Sequence, residues 1–187
     1  MAKINSCVFI SGQGSNLRNI IHRSRDNSFP INVKLVISNK KYAKGLEYAK
    51  KYKIPYILIN TNTSSYENKI IYCLNKYRIS FICLAGYMKI ISKKIIKEFE
   101  KKIINIHPSL LPKFKGLNTF SRALKNKEKI TGCTVHFVNN RLDDGKIIVN
   151  KKFFIKPNYD EKILKQKTQK LEFSAYPEAI IKIFRYR

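Results

Sequence analysis

The amino-acid sequence predicts an α/β protein with a Rossmann-like, mostly parallel sheet and helices on both faces. Short apolar runs alternate with helical segments through the first half of the chain, and this alternation favours a parallel sheet covered by helices. The first apolar run leads into the glycine turn GQGSN and then into a helical segment, an order that is typical of Rossmann-like proteins. The 187 residues, 44% of them hydrophobic, are enough for one domain with a real core. We therefore expect a single domain over residues 1–187.

Four strands and three helices are predicted in the first half. Short apolar runs predict strands, and longer segments with apolar positions at helical spacing predict helices. The predicted strands are residues 5–11, 34–38, 54–59 (a strand or an extended segment) and 80–86. The first predicted helix begins near Leu17, and the other two are residues 41–53 and 66–77.

The second half opens on an apolar run, residues 103–107, that stops at a proline. Pro108 cannot donate a backbone hydrogen bond and favours extended geometry at His107, so the strand should end with His107 at its carboxyl edge. Helix 119–127 and strands 133–138 and 147–155 should follow, and the chain from Asp160 onward is helical in pattern with an interruption near Pro177. The apolar positions expected to pack this last segment on the sheet are Ile163, Leu164, Leu171, Ile180, Ile181 and Phe184.

The net charge is +26, from 38 Lys and Arg against 12 Asp and Glu. Such a charge raises nucleic acid as a partner, but the lysines are spread over the chain, with abundant Ile, Asn and Tyr, as a proteome-wide compositional bias would also produce. We expect no specific nucleic-acid partner, while anionic small-molecule substrates would be favoured electrostatically.

Neither a membrane span nor a metal site is expected. The apolar runs are shorter than a bilayer-spanning helix, and the amino terminus lacks a cationic region followed by a long apolar stretch, so we expect a cytoplasmic protein that does not associate with membranes. The cysteines lie singly in apolar segments, without a CxxC pair or a nearby histidine cluster, and should be buried free thiols: Cys7, Cys73, Cys83 and Cys133.

The glycine turn is a candidate anion site. Gly12 and Gly14 permit tight backbone geometry, while Ser15 and Asn16 can cap the following helix and offer donors to an anion. Leu17 stands where a dinucleotide fingerprint has its third glycine, which favours a single phosphate over a pyrophosphate. A purely structural turn would have the same pattern.

Asn105 and His107 are the candidate catalytic pair. Alternate residues of a strand share a face, so both side chains should point the same way at the carboxyl edge of the sheet, where open α/β sheets bind ligands. An amide can donate to an oxyanion while an imidazole moves a proton. The pair alone is also compatible with a polar strand end.

Four motifs in order, SGQGSN, AGYMKIIS, INIHPSLLPKFKG and HFVNNRLDDG, resemble those of the phosphoribosylglycinamide formyltransferases, folate-dependent enzymes of purine synthesis. The match runs from Cys7 to Pro177. The resemblance implies the α/β formyltransferase fold and transfer of a formyl group from 10-formyltetrahydrofolate to the amine of glycinamide ribonucleotide.

The resemblance also implies roles for individual residues. Asn105, His107 and Asp143 fall on the catalytic set of the family, although the DDG sequence is also an ordinary turn and Asp144 is a neighbouring acid. His136 is either a core histidine or a residue near the site, and His22 should lie on a helix surface. The binding positions implied are Gly14, Ser15 and Asn16 for the substrate phosphate, Glu172 for its amine and ribose end, and Met88, Lys89, Ile90, Ile91 and Asn105 for folate.

Some positions depart from the family pattern, and two rival functions stay open. Lys89 replaces a common arginine and lacks its planar fork, and Asn118 and Phe120 stand where histidines are frequent. One rival is the catalytic domain of methionyl-tRNA formyltransferase, which the charge would suit but the KFKGLNTF sequence after SLLP does not. The other is a basic nucleic-acid-binding domain, which retention of all three catalytic residue types opposes. The sequence is compatible with a monomer or a homodimer.

Overall fold

The computed structural model describes residues 2–185. The described residues fall into two compact units that divide between Ile104 and Asn105, within strand β5 (Ile103–His107). The elements of the first unit are β1 (Ile4–Ile10), α1 (Ser15–Ser24), β2 (Ile31–Ser38), α2 (Gly45–Lys51), β3 (Tyr56–Leu58), α3 (Tyr66–Lys76), β4 (Phe81–Leu84) and α4 (Lys93–Glu98).

The first unit is a parallel sheet with the strand order β3-β2-β1-β4. Strand β1 lies at its centre, where Val8 pairs with Val36 on one side and with Cys83 on the other. Strand β4 is buried throughout, and β1 is buried from Ser6 onward, as expected of parallel strands that are covered on both faces.

The second unit is built on an antiparallel pair of strands. Its elements are α5 (Thr119–Lys125), β6 (Ile130–Phe137), β7 (Ile147–Phe154) and α6 (Glu161–Phe184). Strands β6 and β7 pair from Ile130 opposite Phe154, with an irregularity between Val135 and His136. Helix α6 packs on both strands, and its buried positions are Leu164, Thr168, Ala175, Tyr176, Pro177, Ala179 and Ile180.

The mostly parallel sheet with flanking helices is confirmed, and so is the end of β5 at His107. Helix α6 corrects one expectation, because it continues through Pro177 without a break. Of the apolar positions predicted to pack this helix, Leu164 and Ile180 are buried, while Ile163, Leu171, Ile181 and Phe184 are only half-buried.

The amino end of α1 corrects a second expectation. The residue that caps this helix is Gly14, in the left-handed region at φ +72°, and no side chain accepts a capping hydrogen bond. Ser15 and Asn16 belong to the first turn instead. Helix α4 was not predicted.

All four cysteines are buried free thiols, as predicted. Among residues 2–185, no helix combines the length and the apolar character that crossing a bilayer needs.

Candidate active site

The end of β5 brings Asn105 and His107 to one carboxylate. Asn105 Nδ2 lies 3.4 Å from Asp143 Oδ1, and His107 Nδ1 lies 3.2 Å from Asp143 Oδ2. His107 is 5% exposed and Asp143 is 9% exposed, so both ionisable groups are largely withdrawn from water. The shared face that strand alternation predicted for Asn105 and His107 is confirmed by this common partner.

Asp143 is the centre of the cluster. Its Oδ2 also accepts a hydrogen bond from the Gly116 amide at 2.9 Å, and its Oδ1 lies 3.6 Å from His136 Nε2. Nitrogen atoms thus surround both carboxylate oxygens. Asp143 has φ +46°, a left-handed conformation that aspartate tolerates better than most residues.

These contacts keep Asp143 ionised. Burial would raise the pKa of this carboxyl, but the contact with His136, the Gly116 hydrogen bond and the charge of His107 outweigh it and hold the pKa below its usual value of 3.8. A buried carboxylate of this kind is a fixed negative charge for whatever binds beside it.

The ring of His107 is oriented from both sides. Its Nε2 lies 2.9 Å from the Phe114 carbonyl oxygen, and because a carbonyl only accepts, Nε2 must carry a proton. Burial lowers the pKa of His107 below 6.5, while the Phe114 carbonyl and Asp143 act in the opposite direction. The neutral ring therefore has its lone pair on Nδ1, beside Asp143, and a proton that arrives at Nδ1 is stabilised there by the carboxylate.

His136 belongs to the same cluster. Its Nδ1 donates to the Phe137 carbonyl at 2.8 Å, which leaves Nε2 turned toward Asn105 Nδ2 at 3.4 Å. His136 is 2% exposed, so both alternatives considered for it hold: it is a buried histidine and it contacts the site. His22 is exposed on α1, as predicted.

Asp144 is separate from the cluster. It forms an ion pair with Lys115 and lies 3.8 Å from Arg141 Nη1. These partners lower the pKa of Asp144, but they tie it to surface cations. Of the two adjacent acids, Asp143 alone contacts His107 in the described structure.

Two backbone groups of the site were missed by sequence reasoning. The Phe114 carbonyl and the Gly116 amide hold His107 and Asp143, respectively. A main-chain group leaves no residue-type pattern in the sequence. The only available indication was Gly116 itself, whose φ of +78° is a conformation that favours glycine.

The glycine turn before α1 is formed by a close approach of two backbone segments. A Cβ on Gly14 would lie 2.4 Å from the Gly45 Cα, and the Gly45 amide donates to the Gly12 carbonyl at 3.0 Å. The turn leads directly into the first turn of α1, and the amides and dipole at the amino end of a helix attract anions. Asn16 is buried and Ser15 is half-buried there.

Residues 88–91 are anchored by Ser11. The Ser11 hydroxyl accepts from the Met88 amide at 2.7 Å and donates to Asn39 Oδ1 at 2.6 Å. Met88 and Ile90 are 68% and 76% exposed, whereas Ile91 is buried. The segment thus presents two apolar side chains to solvent, with Lys89 exposed between them.

Glu172 lies half-buried on α6. Burial and the charge of Glu172 raise the pKa of the Cys133 thiol on β6 to about 12. No three His, Cys, Asp or Glu side chains in the described part of the chain are grouped so as to hold a metal ion.

Residues 4–180 match the family model described as formyl transferase, and the chain belongs to this family. Among its relatives, the phosphoribosylglycinamide formyltransferase of Haemophilus influenzae is 41% identical over 177 residues, which are 92% of this chain and 84% of that protein. The trifunctional purine biosynthetic protein adenosine-3 of Drosophila melanogaster is also 41% identical, but the chain spans only 13% of its length.

Solved structures agree with the fold. The phosphoribosylglycinamide formyltransferase of Bacillus halodurans superimposes with a TM-score of 0.92 at 33% identity, covering 96% of this chain and 94% of that chain. The enzyme of the same name from Brucella melitensis has a TM-score of 0.92 at 34% identity, covering 98% and 96%. The predicted formyltransferase fold is confirmed.

Proposed function

We propose that this chain transfers a formyl group from 10-formyltetrahydrofolate to the amine of N1-(5-phospho-D-ribosyl)glycinamide. The products are formylglycinamide ribonucleotide and tetrahydrofolate, in de novo purine (IMP) biosynthesis. The observation that carries the proposal is the buried Asp143 carboxylate in contact with both the Asn105 amide and the His107 ring. Similarity to phosphoribosylglycinamide formyltransferases over most of the chain supports the same substrate pair.

Asn105 stabilises the negative charge that develops on the formyl oxygen. Attack of the amine on the formyl carbon turns that oxygen into an oxyanion, to which an amide N–H can donate. The two contacts of Asn105 Nδ2 are both 3.4 Å long, weaker than an ordinary hydrogen bond of about 2.9 Å. The amide can therefore exchange one of them for a stronger acceptor, and loss of one such donor typically costs about 2.7–4 kcal/mol.

His107 and Asp143 handle the proton. The attacking amine must lose a proton, and the folate nitrogen must gain one as the carbon–nitrogen bond to the formyl group breaks. His107 Nδ1, beside Asp143, is the ring nitrogen that gains and loses the proton, because Nε2–H is held by the Phe114 carbonyl. Asp143 orients the ring, stabilises its charged form and accepts the amine proton through water.

The remaining residues bind the two substrates. Gly14, Ser15 and Asn16 hold the ribonucleotide phosphate at the start of α1, and Glu172 binds the amine and ribose end. Met88, Lys89, Ile90, Ile91 and Asn105 hold the folate; the exposed apolar side chains of Met88 and Ile90 support this assignment. We further propose that the chain is one catalytic domain that acts in the cytoplasm, as a monomer or homodimer, without a metal or a specific nucleic-acid partner.

The experiment that tests this function is a formyl-transfer assay with two acceptors. The purified chain is given 10-formyltetrahydrofolate with either glycinamide ribonucleotide or formylatable methionyl-tRNA, and release of the folate product is followed by its absorbance. Turnover with glycinamide ribonucleotide alone is expected. Turnover with the tRNA alone would mean that methionyl-tRNA, not glycinamide ribonucleotide, is the acceptor, and no turnover with either would overturn the proposal. A His107→Ala protein purified in the same way controls for contaminating enzyme.

A further inference from the structure

Residues 114–117 hold His107 and Asp143 through their backbone. The Phe114 carbonyl accepts from His107 Nε2 at 2.9 Å, and the Gly116 amide donates to Asp143 Oδ2 at 2.9 Å. Phe114 has φ +56°, and a left-handed conformation costs a residue with a side chain roughly 1–2 kcal/mol. Such a segment stays in place only if its surroundings hold it.

Arg122, on α5, makes the contacts that hold this segment. Its Nη1 donates to the Lys115 carbonyl at 2.6 Å and to the Leu117 carbonyl at 3.3 Å. Its guanidinium carbon lies 5.2 Å from the centre of the Phe114 ring. One exposed side chain thus contacts three of the four residues of the segment.

The contact with Lys115 has a direct consequence for Asp143. The Lys115 carbonyl and the Gly116 N–H belong to one planar peptide group, in which the oxygen and the hydrogen point in opposite directions. Arg122 binds the oxygen end and Asp143 binds the hydrogen end. If this peptide rotated, a carbonyl oxygen would face the carboxylate; a charged donor on the oxygen opposes the rotation and polarises the N–H toward Asp143.

We propose that Arg122 is a positioning residue for the formyl-transfer site, acting through the Lys115–Gly116 peptide on Asp143 and through Phe114 on His107. The role assigned to Arg122 in catalysis rests on the function proposed above, whereas its effect on Asp143 does not. No family motif pointed to Arg122, which the sequence presents only as one of many exposed cations.

The test compares Arg122→Met, which removes charge and donors, with Arg122→Lys, which keeps the charge but not the planar fork. Arg25→Met is the matched control, because Arg25 is also exposed and lies 5.3 Å from the centre of the Tyr52 ring. The first readout is the titration of the Asp143 carboxyl and the His107 ring, followed by NMR in the free protein. The second is the pH profile of kcat and KM for formyl transfer.

Arg122→Met should raise the pH at which Asp143 titrates, because the Gly116 hydrogen bond lowers the pKa of this carboxyl. It should also lower kcat roughly tenfold, about the effect of one lost hydrogen bond to a charged group, with little change in KM. Arg122→Lys should be intermediate, and Arg25→Met should match the unaltered protein.

Other groups act on the same pair and must be considered in the titration. His107 and His136 face Asp143, Lys115 and Arg141 bind the neighbouring Asp144, and the charge of Arg122 itself lowers the pKa of His107. Arg122→Met therefore also removes a charge that opposes protonation of His107, and Arg122→Lys, which keeps it, separates this effect from the peptide contact.

The proposal is overturned if Asp143 titrates in Arg122→Met as in the unaltered protein, including the case in which only the melting temperature falls. Absence of formyl transfer by the unaltered protein would instead reject the proposed function, and the NMR titration would still decide the role of Arg122.

Discussion

The glycine turn before α1 and the cluster around Asp143 are both candidate ligand-binding regions, but the first is formed mainly by backbone and the second mainly by side chains. The turn consists of backbone: Gly14 and Gly45 approach so closely that neither has room for a Cβ. The cluster consists of side chains with three titratable groups, His107, His136 and Asp143. A substitution that adds a side chain should therefore disturb the turn, whereas a change in protonation should disturb the cluster.

The two regions also differ in how their backbone conformations are tolerated. Gly14 has φ +72° and, as a glycine, adopts it at no steric cost. Asp143 has φ +46° as a residue with a side chain, and this conformation persists because hydrogen bonds to its carboxylate stabilise it. The turn depends on the absence of side chains at its glycines, and the cluster depends on its polar contacts.

The largest expected effect is on the side-chain cluster. His107→Ala should lower kcat by about 10²–10⁴-fold, the usual contribution of a positioned acid or base, while the protein still folds. The control is His22→Ala, which removes an exposed histidine from α1. Steady-state formyl transfer and circular dichroism measure both properties, and near-normal turnover by His107→Ala would reject its role in proton transfer.

The glycine turn should respond through stability and substrate binding. In Gly14→Ala the new Cβ would lie 2.4 Å from a backbone carbon, whereas at Gly86, which has the same φ of +72°, a Cβ meets nothing within 4 Å. Both variants incur the left-handed penalty of roughly 1–2 kcal/mol. Gly14→Ala should lose about 1–3 kcal/mol more through overpacking and should raise KM for glycinamide ribonucleotide.

Urea unfolding of the two glycine variants isolates the steric contribution, because the conformational penalty is common to both. Equal losses of unfolding free energy would mean that the Gly14–Gly45 approach relaxes easily. The turn would then not be a rigid region formed by closely packed backbone.

The sequence predicted most of the strands, because buried parallel strands appear as continuous apolar runs and Pro108 marks the end of β5. It did not predict the short helix α4, and it placed the cap of α1 on side chains that the structure does not use. The interruption expected near Pro177 was wrong as well. The helix geometry is retained there because Pro177 is buried among residues that pack on β6 and β7.

The side chains of the candidate active site were predictable to different degrees. Period-two alternation is enough to put Asn105 and His107 on one face, but it gives no way to choose between Asp143 and Asp144. That choice depends on the backbone conformation of the loop after β6. The Phe114 and Gly116 backbone groups are common to all residue types, so residue identity could not reveal them.

The smallest expected effect is a shift in the titration of His107. Asp143→Asn removes the negative charge that raises the pKa of His107, so this pKa should fall further below 6.5; asparagine also tolerates the left-handed backbone. Because the pKa of His107 is lower in the folded state than in the unfolded state, the protein loses stability as the pH falls from 6.5 to the folded-state pKa. This pH range should be wider in the variant.

The variant should also lack the stability that ionised Asp143 contributes. In the unaltered protein this contribution is present above pH 3.8 and is lost as the pH falls through the lowered pKa of Asp143. Asp144→Asn should leave the NMR titration of His107 unchanged, because Asp144 binds surface cations. A rise in the His107 pKa in Asp143→Asn would contradict this prediction, because it would mean that the charge of Asp143 does not raise that pKa.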